Sequence, residues 1–537
     1  MIYLGFRMIM DEYKLCILSS GIGSRMDSMI GYTHKALISV GGKPVINHIL
    51  DKIDKDIEIV MSVGYKKELL MEYLLFVYPD RKFKFVEIEK FVGKGTGPGL
   101  SLLKCNKYLQ CPFVLSTCDT ILENYPKLNY NWIGISNCIN KDKYCTVELL
   151  NGEITKIYEK DKNGTTNAYN GVMYICNYIE FWDSLEKNLT NSAGEIQVSN
   201  GWQGLMSMET GLKAVVFDKW YDVGNIESLE ITRKCLGGTN NLEKEDESLY
   251  FIDNKVIKFF KDPKIIRGRV ERSKILSKYE IVPKIIKKSE HFYSYDYING
   301  DVISKIITDD LMYKFLNWCH DTVWKKIELN ENKKIKFKSM CQNLHEYKTK
   351  DRIQKWFDSK IVIDIPEKIN GYNIPTTKSL LSRIDWDEIN KGIPVLCHGD
   401  LHFENVIYTE DEKFICIDWR QDFGGQFEYG DLYYDLCKLS HGLIVNHKSV
   451  FKNLYTLKKD RNEIYIDIMQ SMNTMRCKNI FEKFIKSIDV DFYKVRILTY
   501  LVYLNIAILH HSPYNEFLYY LGKLGLYKTL EGIQDDI

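Results

Sequence analysis

The sequence is poor in the features that mark a nucleic-acid binder, a zinc-finger protein or a membrane protein. Lys and Arg together number 73 against 72 acidic residues, a formal charge of +1. With no cationic excess to neutralise phosphates, nucleic acid is not an expected partner. The fourteen cysteines never occur as C-x-x-C, and none stands at zinc-finger spacing from a histidine. Most lie in apolar runs such as Leu15-Cys16-Ile17, where a thiol packs as a small hydrophobe, so a reducing cytoplasm is the expected location. Residues 1–10 show no apolar core followed by a small-residue cleavage site, and no signal peptide is expected. The most apolar stretch, 497–509, is shorter than a membrane span and contains Asn505, which predicts a buried helix and no membrane span. Internal repeats and low-complexity tracts are lacking too.

What is present is a long, ordinary globular chain. Its 537 residues, 45% hydrophobic and 27% charged, suggest two to four domains. Residues 14–220 alternate short apolar runs with helical patterns, which predicts an α/β layer fold. Strands are expected at 15–19, 57–63, 83–88, 113–116, 133–136, 145–149 and 172–176, with helices following Lys43, Lys66 and Gly99. The pattern stops at the turn-rich, polar segment 237–245, the expected linker. Beyond it, 246–299 reads as a small sheet-rich lobe with one charged helix. Residues 301–358 and 429–534 read as mainly helical, with a strand–loop–strand element at 394–418 between them, in a larger lobe over 300–537.

The first constellation begins where the strand at 15–20 runs into Gly21-Ile22-Gly23-Ser24-Arg25. Glycines there let backbone N–H groups face an anion, and Arg25 adds charge. A dinucleotide fingerprint needs glycine at position 26 and a Walker loop needs Gly-Lys-Ser/Thr at 26–28; Met26, Asp27 and Ser28 exclude both. Lys35 follows in Thr33-His34-Lys35-Ala36-Leu37, then Gly41-Gly42-Lys43-Pro44-Val45. This set resembles the nucleotidyltransferase superfamily that makes nucleotide-sugars and CDP-alcohols; the His34-Lys35 pair is similar to choline-phosphate cytidylyltransferases. Ser19-Ser20-Gly21 departs mildly from the usual Ala-Ala-Gly opening.

The resemblance assigns roles in chain order. Ser20, Gly21, Gly23 and Ser24 would cradle the nucleotide phosphates, and Gly95-Thr96 would lie beside the nucleobase. Asp119 and Asp222 (in Trp220-Tyr221-Asp222-Val223-Gly224-Asn225) would hold magnesium. Lys160 in Glu159-Lys160 would meet the acceptor phosphate, and Asn170-Gly171, with Glu195, would bind the acceptor. The chemistry needs these types. A phosphate monoester attacks the α-phosphorus of a nucleoside triphosphate, so two anions must meet among cations such as Arg25, Lys35 and Lys160. Magnesium prefers few carboxylates plus phosphate oxygens, which suits two isolated aspartates.

The second constellation is His398-Gly399-Asp400-Leu401-His402-Phe403-Glu404-Asn405, which matches H-x-D-x-x-x-x-N, followed by Ile417-Asp418-Trp419. In the kinase fold Asp400 would orient the substrate hydroxyl, and Asn405 and Asp418 would hold magnesium on ATP. Lys258, in the alternating run Val256–Phe259, would contact the phosphates, with Glu271 as its ion-pair partner; Tyr297 falls where an adenine-binding hinge is expected. His-Gly-Asp in place of His-Arg-Asp, and the lack of Ala-Pro-Glu, point away from protein kinases. The set resembles the aminoglycoside phosphotransferase and choline kinase family, an α+β bilobal fold. Two departures stand out: no glycine-rich loop precedes Lys258, and 420–425 lacks the acidic-aromatic pattern of choline kinases.

Together the resemblances imply a bifunctional, Mg2+-dependent enzyme. One head would phosphorylate a sugar, polyol or amino alcohol with ATP, and the other would couple the resulting phosphate to CTP or UTP, for surface glycan synthesis. A choline kinase joined to a choline-phosphate cytidylyltransferase, and a transferase with a regulatory pseudokinase, stay open as alternatives. Whether the chain forms a homo-oligomer stays open as well.

Overall fold

The computed structural model describes residues 13–93, 95–188, 195–237, 246–460 and 463–533. The expected linker lies outside these residues except for Gly237, as does the stretch read for a signal peptide. The chain forms two compact units. One comprises the residues up to Pro263 together with Lys288–Ser294, the other Lys264–Lys287 together with Tyr295–Ile537.

The first unit is built on a nine-stranded mixed sheet in the order Phe83–Glu87, Ile59–Val63, Lys14–Leu18, Phe113–Thr117, Asn167–Ile175, Trp132–Asn137, Lys213–Val216, Glu153–Glu159, Cys145–Leu150. The first four strands are parallel, and Asn167–Ile175 runs antiparallel to both its neighbours. Side chains of Lys14–Leu18 alternate between two cores. Leu15 and Ile17 pack with Ile46, Leu70 and Leu74 on one face, Cys16 and Leu18 with Leu102 and Leu205 on the other. A strand covered on both faces reads as a continuous apolar run, which explains why its alternation is invisible in sequence. Glu153–Glu159 escaped the sequence reading because charged residues surround its single buried one, and Lys213–Val216 because it is only four residues long and none of them is fully buried.

Lys14–Leu18 pairs with Ile59–Val63 on one side and Phe113–Thr117 on the other. The winding direction reverses there, so a crevice opens at the carboxyl ends of Lys14–Leu18 and Phe113–Thr117. The glycine loop and Asp119 leave those two ends.

The strands Glu247–Ile252 and Lys255–Phe260 form a hairpin whose turn residues Asp253 and Asn254 take φ 48° and 58°. Positive φ at both turn positions matches the twist of the flanking strands. The hairpin's apolar face is buried within the first unit: Tyr250, Ile252, Ile257 and Phe259 share a core with Leu37, Tyr73 and Phe76. Tyr250 donates to the Leu37 carbonyl at 2.8 Å, and the Phe251 N–H to the Gly42 carbonyl at 2.8 Å. The division by contacts therefore falls near residue 263, later than the 237–245 expected from composition.

The second unit is largely helical. Phe492–Ala507 and Tyr514–Leu530 pack on each other, and Phe492–Ala507 also contacts Leu432–Ile444 and Lys348–Asp358. The expected strand–loop–strand element appears as Val406–Thr409 and Phe414–Cys416, with Gly300–Val302 as a third strand. A second small sheet joins Tyr372–Ile374 and Glu367–Ile369 to Glu463–Ile468 and Tyr455–Asp460, the last two standing in a region expected to be helical. Among the described residues no helix is long and apolar enough to cross a membrane.

Candidate functional site

In the first unit the strand Lys14–Leu18 ends in a loop where Gly23 takes φ 76°, a left-handed conformation that releases the chain into the turn beginning at Ser24. Ser20 is buried and bonded through its hydroxyl to that of Ser101 at 2.8 Å, which ties the loop to the helix Pro98–Cys105. His34 is wholly buried; its ring bonds the Ser19 carbonyl at 2.9 Å and accepts from the Ala36 N–H at 3.1 Å. Burial lowers its pKa to about 4, so it is a neutral brace that aims Lys35 at the crevice.

Lys35 meets Asp119 at 3.0 Å. Asp119 lies between Phe113–Thr117 and the short strand Thr120–Leu122, whose partner Trp220–Asp222 brings Asp222 alongside. The Val223 N–H donates to the Asp119 carbonyl at 2.8 Å, which fixes the two aspartates together. A Cβ on Gly224 would lie 3.0 Å from Asp222 Oδ1, 3.1 Å from Arg25 Nη2 and 3.7 Å from Asp119 Oδ2. Arg25, Asp119 and Asp222 thus surround one glycine, which leaves room a side chain would fill. Burial would raise the Asp119 pKa, but the Lys35 ammonium and Arg25 more than offset it and hold the carboxyl below its ordinary value. Asp222 is raised, by burial first and the neighbouring Asp119 charge second. Two such carboxylates pressed together, all-oxygen and few in number, fit a hard divalent cation such as Mg2+. Tyr144, unmarked in the sequence, donates its hydroxyl to Asp222 Oδ2 at 3.1 Å.

The remaining expected residues fall as follows. Gly95, at φ 80°, precedes buried Thr96, whose hydroxyl donates to the Gly93 carbonyl at 2.7 Å and whose carbonyl accepts from the Ile196 N–H at 2.7 Å. This stitches the Gly-Thr loop to the segment carrying Glu195, whose carboxylate accepts from Gln197 at 3.3 Å. Lys160 is exposed at the end of Glu153–Glu159. Gly171, at φ 91°, lies where a Cβ would come 2.5 Å from Thr117 Oγ1. Asn170 differs from expectation. It is 1% exposed, and its amide is spent on the Ser136 hydroxyl at 3.3 Å and the Val172 N–H at 3.3 Å. Its side chain braces the turn and is not open to an acceptor.

In the second unit the loop after Pro394–Val395 passes through Cys397 at φ 57° and Gly399 at φ 85° to present Asp400. Asp435, buried on the helix Leu432–Ile444, accepts from the N–H of His398 at 2.7 Å and of Gly399 at 2.6 Å. Asp431 accepts from the Tyr433 N–H at 3.3 Å as the N-cap of that helix and pairs with His345 at 2.8 Å. Arg272 donates to the carbonyls of Leu396 at 3.1 Å and His398 at 3.3 Å. The His398 ring, bonded to the Ile417 carbonyl at 3.0 Å, completes this support.

Asp400 pairs with Lys438 at 2.7 Å and accepts from Asn405 Nδ2 at 3.4 Å. Burial works against ionisation, yet Lys438 and His402 hold Asp400 well below the carboxylate range. It is therefore a carboxylate suited to orient a hydroxyl. Asp418, at φ 58°, pairs with Arg269 at 3.0 Å. Asn405 and Asp418 offer oxygen donors of the kind magnesium takes. Glu271, expected to pair with Lys258, instead accepts from Lys274 at 2.7 Å on an exposed face of the helix Pro263–Leu276. It faces away because it stands two residues, about half a helical turn, from Arg269, which takes the inward position. Lys258 is buried on Lys255–Phe260, and Tyr297 is exposed. A cavity of about 250 Å³ opens at Asp400 and Asp418, lined also by Lys348, Arg352, Arg420 and Lys438. None of these four cations is marked by a sequence motif; tertiary packing alone gathers them.

Residues 377–447, which contain this loop, match the model of the phosphotransferase enzyme family. The N-terminal region is 27% identical over 227 residues to bifunctional protein GlmU of Methanococcus vannielii, covering 40% of this chain and 52% of that protein. It is 25% identical over 166 residues to D-glycero-alpha-D-manno-heptose 1-phosphate guanylyltransferase of Campylobacter jejuni, covering 30% of this chain and 73% of that enzyme. The N-terminal region matches sugar-phosphate nucleotidyltransferases; the C-terminal region matches a phosphotransferase family. Both matches indicate enzymes. The chain spans about half the length (52%) of the first of these relatives. A solved CTP:phosphocholine cytidylyltransferase of Streptococcus pneumoniae aligns with 42% of this chain and 100% of its own, at 18% identity and TM-score 0.35.

Proposed function

We propose that the chain is a bifunctional enzyme that phosphorylates a small hydroxylated metabolite and then activates the product as a nucleotide conjugate. The observation that carries this reading is the meeting of Arg25, Lys35, Asp119 and Asp222 at the carboxyl ends of parallel strands, beside a glycine loop. A site with that charge pattern suits the joining of two phosphates.

In the C-terminal unit the acceptor hydroxyl oxygen attacks the γ-phosphorus of ATP. The new O–P bond forms as the bond to the β,γ-bridging oxygen breaks, ADP leaves, and the hydroxyl proton passes to Asp400. Lys438 holds that carboxylate in place, while Asn405 and Asp418 would hold Mg2+ on the nucleotide. In the N-terminal unit a phosphate monoester oxygen attacks the α-phosphorus of CTP or UTP, the α,β-bridging bond breaks, and pyrophosphate leaves. Arg25 and Lys35 draw the two anions together, and Asp119 and Asp222 would hold Mg2+. When bound, that cation neutralises charge on the transferring phosphate. Gly21, Gly23 and Ser24 cradle the phosphates, Gly95 and Thr96 flank the base, and Lys160 and Glu195 face the acceptor. Synthesis of a sugar or polyol donor for surface glycans, in the cytoplasm, fits this pair of reactions.

The test is a pair of screens on the full chain: alcohols and sugars with ATP and Mg2+, read as ADP, and their phosphates with CTP, UTP, GTP and ATP, read as pyrophosphate. Agreement of the best alcohol and the best phosphate on one carbon skeleton supports the sequence of reactions. Unrelated skeletons defeat it.

A second reading, a nucleotide-sensing C-terminal unit without turnover, is favoured by one observation: Asp400 and Asp418 are both paired with cations. ATP binding with no ADP formed from any acceptor would select it.

A further inference from the structure

The cavity at Asp400 has an unbalanced wall. Five cationic side chains, Arg269, Lys348, Arg352, Arg420 and Lys438, face two carboxylates, Asp400 and Asp418. Two of the five are matched: Arg269 pairs with Asp418 at 3.0 Å and Lys438 with Asp400 at 2.7 Å. Lys348, Arg352 and Arg420 have no carboxylate within ion-pair distance among the described residues. Lys348 and Arg352 stand four apart on the helix Lys348–Asp358 and so share one face. That helix packs against Phe492–Ala507, where Asn505 donates to the Thr349 hydroxyl at 2.8 Å, and Val502, Asn505 and Ile506 line the same cavity. Arg420 donates to the Tyr434 hydroxyl at 3.2 Å, and its guanidinium lies 5.6 Å from that ring's centre. Arg420 also feels Tyr434, Asp422 and Asp400, whereas Lys348 and Arg352, against the pull of Tyr434, are held below their ordinary values by burial and like-charged neighbours, a cost that a ligand's charge would relieve.

We infer that the acceptor of the C-terminal unit is an anion: a hydroxyl compound carrying a carboxylate or phosphate that Lys348, Arg352 and Arg420 receive. This rests on the phosphotransferase reading above and narrows its substrate. A quaternary ammonium or polyamine acceptor would meet like charge here, and the cavity lining offers Tyr434 as its only aromatic ring instead of a cation-binding cage. Asp418 lines the same cavity, so the nucleotide's terminal phosphate is the rival claimant for these cations; Lys348 and Arg352 stand on the helical wall with Asn505 and Ile506, and the KM for ATP separates the two. Positive charge there also pulls the Tyr434 hydroxyl below its ordinary pKa despite burial, through Arg420, Lys348 and Lys438.

The experiment measures ADP formation by the full chain with Mg2+ and matched acceptors: glycerate, glycerol phosphate, glycerol, a hexuronate, the parent hexose and choline. The anionic member of each set should win, and carboxylate against phosphate arms identify the group. Lys348→Gln and Arg352→Gln should each raise KM for the anionic acceptor about tenfold or more, the scale of a lost charge-assisted hydrogen bond, with KM for ATP changed less than about twofold. An unchanged KM for ATP reports that the second unit of each variant is folded, and Lys348→Arg should restore most of the loss. Preference for glycerol, hexose or choline would overturn the inference while leaving the phosphotransferase reading intact. An equal rise in KM for ATP would also overturn it, by giving these cations to the nucleotide. ADP formed from no acceptor at all would overturn the phosphotransferase reading and the inference with it.

Discussion

Asp435→Asn tests how the Asp400 loop is held. The wild-type carboxylate is fully buried and accepts from two backbone N–H groups, those of His398 at 2.7 Å and Gly399 at 2.6 Å. Asparagine keeps the size but offers one oxygen and turns an N–H2 toward the second donor. One buried N–H then lacks an acceptor, a loss of about 1–3 kcal/mol at neutral pH. The pH dependence has a definite sign. Burial, only partly offset by the two N–H donors, pushes the Asp435 carboxyl up to about 6. A raised folded-state pKa means that this group's stability is complete below the ordinary carboxylate range and is lost as pH rises through about 6. Between the ordinary carboxylate value and about 6 this is worth roughly 3 kcal/mol at most. Asparagine does not titrate, so the gap between wild type and variant should widen as pH falls from 7.5 toward 4.5. Hydrogen exchange of peptides spanning 396–401, corrected for intrinsic rates, reads the local opening free energy at each pH. A gap that is constant, or that widens as pH rises, would refute the account of Asp435 as a buried acceptor held against its own desolvation.

Three further outcomes are expected. Asp119→Ala or Asp222→Ala should abolish pyrophosphate release and leave ATP-dependent phosphorylation near normal, as measured by the two assays in parallel. Asp400→Asn should lower phosphoryl-transfer turnover about 100-fold or more while nucleotide binding by calorimetry persists, since Asn405 and Asp418 remain. Gly171→Ala forces a Cβ to within 2.5 Å of Thr117 Oγ1 at φ 91°. It should cost about 1–3 kcal/mol in denaturant unfolding of the first unit, and an unchanged midpoint would show that the turn can relax.

Residues whose role is set by chain order were legible in the sequence. Arg25, Lys35, Asp119 and Asp222 could be selected from motif order, and the structure brings Arg25, Asp119 and Asp222 around Gly224, with Lys35 paired to Asp119. Asp400, Asn405 and Asp418 were legible for the same reason. What escaped was decided by facing. Glu271 and Arg269 are two residues apart on one helix, and only packing shows that Arg269 turns inward. Lys348 and Arg352 share one helix, but Arg420 and Lys438 come from other elements, so no spacing announces the set. Asn170 lay in the expected turn, but its amide is consumed by Ser136 and the backbone. In the pair Tyr455–Asp460 and Glu463–Ile468, the second strand shows a plain period of two through Ile464, Ile466 and Ile468, which the sequence reading passed over among helical patterns, while the first buries no side chain that could mark it.

The hairpin of Glu247–Phe260 has a consequence for how this chain could be divided. Tyr250, Ile252, Ile257 and Phe259 are core residues of the first unit, though they lie beyond the polar stretch at 237–245. A gene cut at that stretch would strip the covering from Leu37, Tyr73 and Phe76 and leave an apolar scar on the transferase half. Such a half would be expected to clump in solution, so loss of its activity would say nothing about catalytic dependence on the other half.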